Sequence, residues 1–170
     1  MAHTKIVVSD LTIGYEGLFD AADLFKLIDD WFKQHGYEKN EVQHVERVRE
    51  KGKFIDYEIM PGKLINEYAR YDVDTRVIIT NMTQQQIKKS GKQFTMNKGN
   101  VNITISAFIV TDIEHELEAK PLFFFFRTLY EKFLNKSQTN EMEQRLMNDV
   151  QNLHTELKAY LNLNKAIVSS

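Results

Sequence analysis

The sequence predicts an α+β fold in which a curved antiparallel β-sheet, apolar on one face, is covered by a long C-terminal helix. Three observations predict it. Between Glu41 and Glu114 apolar residues recur at every second position, as half-buried strands require. From Asn140 to about Leu163, Met142, Leu146, Val150, Leu153, Leu157 and Leu161 recur at three- and four-residue steps, which describes an amphipathic helix about 35 Å long. The order of elements is strand, helix, about four to six strands, then two helices, so a one-sided sheet has one full-length cover.

The elements follow in chain order. Lys5 to Ile13 is rich in β-branched residues and reads as a strand, which Gly14 and Gly17 break. Asp20 is a helix N-cap; Ala21, Leu24, Phe25, Ile28, Trp31 and Phe32 follow at helical spacing up to a stop at Gly36. Val42–Arg49 and Phe54–Met60 form a hairpin around a turn at Lys51-Gly52-Lys53, and Pro61-Gly62 marks the next turn. Tyr68 to Thr80 alternates most cleanly. Ala69, Tyr71, Val73, Thr75, Val77 and Ile79 share one face, with Arg70, Asp72, Asp74 and Arg76 on the other. Asn81 to Gly99 is polar, with turn signals at Ser90-Gly91 and Lys98-Gly99 and a short strand around Phe94 and Met96. Val101, Ile103, Ile105, Ala107 and Ile109 then line one face of a long strand. Pro121 opens an apolar helix, Leu122 to Leu134, which Asn135 to Thr139 interrupts before the last helix.

Composition narrows the function classes. The 170 residues read as a single domain, ordered over about 5–163 with a frayed tail at 164–170. There is no cysteine, which excludes disulfides, thiolate metal sites and thiol nucleophiles. The 22 basic and 24 acidic groups nearly balance, against a dedicated nucleic-acid binder. The longest apolar run, Leu122 to Phe126, ends at Arg127, too short for a membrane span. Without a signal-peptide stretch at the N-terminus the chain is expected to be cytoplasmic.

Catalytic and metal-binding patterns are missing from the sequence. No two of the 5 histidines stand at i, i+4, and Glu114-His115-Glu116 lacks a partner at zincin spacing, so neither metal nor cofactor is expected. Gly14 and Gly17 make no phosphate loop, and Glu16 and Asp20 beside them repel anions. The carboxylates Asp72 and Asp74 read as a solvent-facing ladder with Arg70 and Arg76. No catalytic residues are assigned.

The order of elements resembles the helix-grip fold of the START-like (SRPBCC) superfamily over about Lys5 to Leu163. The single helix Asp20–Gln34 departs from the pair of short helices common there. Lys120-Pro121-Leu122-Phe123-Phe124-Phe125-Phe126-Arg127-Thr128-Leu129-Tyr130, with Asp29-Asp30-Trp31-Phe32 and Asn97-Lys98-Gly99, looks like a signature of a small uncharacterised archaeal group of that superfamily. The resemblance implies a fold and no particular activity.

Three functional readings stay open. In the first, a small hydrophobic ligand sits between sheet and helix, without catalysis, in a cavity lined by Tyr57, Tyr71, Thr75, Leu146, Val150 and His154; a few fixed hydroxyls in an apolar space are typical of small-molecule sites. In the second, side chains fill the core, and Phe123, Phe124, Phe125 and Phe126 form the interface of a homo-oligomer or another protein complex. The third, a START-like cyclase or hydrolase, needs an acid or base in the cup that the sequence does not supply.

Overall fold

The alternating strands assemble into one six-stranded antiparallel sheet, described by a computed structural model for residues 3–111 and 135–169. The elements are β1 (His3–Phe19), α1 (Ala21–Gln34), β2 (Glu41–Arg49), β3 (Gly52–Ile59), β4 (Gly62–Asn66), β5 (Ala69–Lys89), β6 (Lys92–Thr111) and α2 (Asn135–Ser169). Strand order is β1-β6-β5-β3-β2, with β4 pairing the start of β5. The architecture is α+β, and no described helix is long and apolar enough to cross a membrane. Phe123, Phe124, Phe125 and Phe126 lie outside the described residues.

Register brings the apolar sets into one layer. Ile55, Tyr57 and Ile59 of β3 stand opposite Ile79, Val77 and Thr75 of β5. Those in turn face Val101, Ile103 and Ile105 of β6, and Leu11 and Ile13 of β1 complete the row. Both helices cover this face. Ala21, Leu24, Ile28, Trp31 and Phe32 of α1 and Leu146, Val150, Leu153, Leu157 and Leu161 of α2 are buried in one continuous core with it.

β1 does not stop at Gly14. Its pairing with β6 continues through Gly14, Gly17 and Phe19, because both glycines fit an extended strand whose partners are Asn102 and Gly99. Two register shifts, before Val8 and before Leu11, bend this strand, with Asp10 at φ 50°. β5 bulges likewise between Thr80 and Thr83, where Asn81 has φ 54°. The glycines on either side make room for that bulge. A Cβ on Gly52 would lie 2.7 Å from the Asn81 carbonyl carbon, and one on Gly99 would lie 2.9 Å from the Thr80 oxygen. Beyond the bulge the polar stretch is not a loop with a short strand. β5 and β6 pair continuously to Lys89 and Lys92, and Ser90 and Gly91, both at positive φ, close a two-residue turn.

The first helix ends as its sequence indicates. Asp20 caps it by accepting from the Asp23 amide at 3.1 Å. At the other end the Tyr37 amide donates to the Phe32 carbonyl and Gly36 to that of Lys33, a Schellman closure with Gly36 at φ 77°. α2 begins earlier and ends later than its apolar stripe, because no Gly or Pro follows Pro121 to stop it. It therefore runs through Asn164, which is buried, where the composition suggests a frayed tail.

Candidate functional site

The centre of the concave face is Thr75. It sits between Ile59 and Ile105 on the neighbouring strands and between Val73 and Val77 on its own. It is 0% exposed, and its hydroxyl has no hydrogen-bond partner. A buried hydroxyl left without a partner costs about 1–3 kcal/mol.

The nearby tyrosines are satisfied by the helices. The Tyr57 hydroxyl donates to Asp29 Oδ1 at 3.4 Å, and its ring meets Phe25 edge-on, with centroids 5.0 Å apart. The Tyr71 hydroxyl donates to the Met142 carbonyl of α2 at 2.9 Å, and that of Tyr37 to Asp149 Oδ2, also at 2.9 Å. Burial pushes all three phenols above their ordinary range, and Asp149 adds to the effect at Tyr37. They are proton donors at any physiological pH, not bases. Trp31 Nε1 donates to Asn152 Oδ1 at 2.8 Å, and the Tyr160 hydroxyl to the Asp20 carbonyl at 2.9 Å, so polar pins hold α2 along its length.

A pocket of about 330 Å³ opens beside this row, where the end of α1 meets the β3–β4 connection. Phe32, Tyr37, Ile59 and Pro61 give it apolar walls. Asp29 and Lys39 stand among its lining residues, paired at 2.9 Å, and Asp29 holds the Lys39 ammonium above its usual range. Ile59 is the cross-strand neighbour of Thr75, so the pocket and the unpartnered hydroxyl are one residue apart on the sheet. The pocket has apolar walls and a charged pair at its rim; Thr75 is not among its lining residues. Among the described residues no three His, Asp or Glu side chains converge as metal ligands.

Tyr57, Tyr71 and Thr75 share the concave face, and Leu146 and Val150 are buried in the same core as the two tyrosines. His154 flanks the α2 stripe, half-buried. Asp29, Tyr37 and Lys39 were not legible as site residues. Tyr37 looks like part of a turn, and only the fold brings it to Asp149 and Ile59.

The convex face is less wet than its charges suggest. Arg76 binds Asp56 through Nε (2.9 Å) and Nη2 (2.8 Å), instead of a neighbour on its own strand. Asp72 is buried under Arg70, and Asp74 keeps one buried carboxylate oxygen without a partner. Of the expected ladder, Arg70–Asp72 stays on β5, Arg76 crosses to Asp56 of β3, and Asp74 makes no hydrogen bond through its buried oxygen.

No protein-family model matches the chain, and no curated protein matches it.

Proposed function

We propose that the protein binds a small, mainly apolar molecule between the concave sheet face and its helices, with the Thr75 hydroxyl as polar anchor and no chemistry performed on it. The observation that carries this reading is the fully buried hydroxyl without a partner, next to the pocket walled by Phe32, Tyr37, Ile59 and Pro61. Small-molecule sites are apolar spaces with a few placed polar groups, and this face supplies that pattern. The order of strands and the covering C-terminal helix are compatible with the helix-grip, START-like fold, which supports the same reading. The phenolic donors favour binding over catalysis, since none is poised to take a proton.

The test is a titration with an environment-sensitive naphthalene dye, for the wild type and for Thr75→Val. Losing one hydrogen bond should weaken binding by about 2- to 10-fold. Tyr37→Ala, which removes one pocket wall, should weaken it further. Equal dye affinity in all three proteins would overturn the proposal.

A further inference from the structure

β2 ends the sheet, and among the described residues no strand pairs its outer edge. Such an edge is a template for another strand. Here it also carries apolar side chains in water, with Val42 52% and Val48 89% exposed. Its parity is fixed by the two-residue loop Glu50-Lys51, flanked by the pair Arg49 and Gly52. In an antiparallel ladder hydrogen-bonded and non-bonded pairs alternate from that point. The backbone groups of Arg49, Arg47 and Val45 therefore serve β3, and those of Val48, Glu46 and His44 are directed outward.

The strand reads Glu-Val-Gln-His-Val-Glu-Arg-Val-Arg, and it complements itself when reversed. Set against a second copy with a two-fold axis at Val45, Glu46 meets His44 and Arg47 meets Gln43 of the second copy; the register shift between Gln43 and Glu41 ends the regular match there, with Glu41 opposite Ile59 on the helix-covered face. This register also pairs outward groups with outward groups, His44 with Glu46. His44 and Glu46 already touch within one chain, Nε2 to Oε1 at 3.2 Å, so the two-fold closes a ring of alternating partners. A slip of two residues would set Glu46 against Glu46, or His44 against His44, and part the two Val45 side chains.

We propose that the protein forms a two-fold homodimer in which β2 pairs antiparallel with β2 of a second copy about Val45, joining the two sheets edge to edge. The interface is isologous, as a two-fold requires. A seam one strand wide falls short of the roughly 1,000 Å² of a stable interface, so association is reversible and rises with concentration.

The absence of cysteine makes the test specific. Val45→Cys places the only two thiols of a dimer on a non-hydrogen-bonded pair, with Cα atoms about 4.5 Å apart and within disulfide reach. In Arg47→Cys the two thiols lie four residues apart along the seam, about 13 Å. Under mild oxidation Val45→Cys should become a covalent dimer at least tenfold faster than Arg47→Cys. In sedimentation equilibrium without cysteines, His44→Glu and Glu46→Lys should each weaken the dimer by removing the match of opposite partners across the seam, and the double reversal should restore it. Circular dichroism melts confirm that each variant folds, and the charge set stands alone if Val45→Cys does not. Equal cross-linking at the two positions, a wild type that stays monomeric as concentration rises, or a double reversal without recovery would each overturn the proposal.

Discussion

Single residues on β5 show how closely one strand divides its two faces. Val73 is buried in the core, and Asp72 points the other way into an ion pair with Arg70. Val73→Asp should cost several kcal/mol in urea unfolding, because it buries a carboxylate without a partner. Asp72→Val should cost about 1 kcal/mol, since Arg70 is half in water and rehydrates. Equal losses would mean that the faces are not divided as described. Asp56 and Asp74 should respond to pH with opposite signs. Arg76 holds the Asp56 carboxyl below the usual range, so the stability it contributes is present at neutral pH and is lost as pH falls through its folded value. Burial, then Glu58, raises the Asp74 carboxyl. Its ionised form therefore destabilises the fold at neutral pH, and the penalty lifts as pH falls through the raised value. Asp74→Asn should raise the urea midpoint at pH 7 and lose that advantage in acid; a variant less stable than wild type at pH 7 would contradict it.

At the scale of elements, strand faces and helix positions were legible in the sequence because period and capping are local. Tyr71, Val73, Thr75, Val77 and Ile79 are buried as their alternation predicts, and Asp20 and Gly36 bound α1 as cap and stop. What stayed hidden depends on partners far along the chain. Gly14 and Gly17 look like breakers until Asn102 and Gly99 are opposite them, and β4 exists because the start of β5 offers it an edge. The polar run Asn81–Gly99 has no apolar period to betray two strands, since it lacks a core to face. Its outer part, from Thr83↔Lys98 to Lys89↔Lys92, extends about 20 Å as a largely exposed ribbon, with Phe94 50% exposed. Replacing Gln86–Thr95 by Asn-Gly keeps Gln85 opposite Met96 and spares Asn97, whose side chain accepts from the Ala21 amide at 3.0 Å. The melting temperature should move by no more than about 2 °C. A large drop would show that the ribbon supports the core.

For the molecule as described, one curved sheet bends at bulges on β1 and β5 and buries one face under α1 and α2, which polar pins hold in place. Only the long-range register reveals where its polar atoms go unsatisfied. Sequence spacing put Tyr57, Tyr71 and Thr75 on one face, but it could not say that the helices would satisfy the tyrosines and leave the threonine. That difference turns a core position into a candidate anchor. Native mass spectrometry of the protein purified from cells, beside Thr75→Val prepared identically, tests this most directly. A bound small molecule is predicted on the wild type, released on denaturation and depleted on Thr75→Val. Bare chain mass for both proteins, with Thr75→Val the more stable, would show that the hydroxyl anchors nothing and that the cup is only a core.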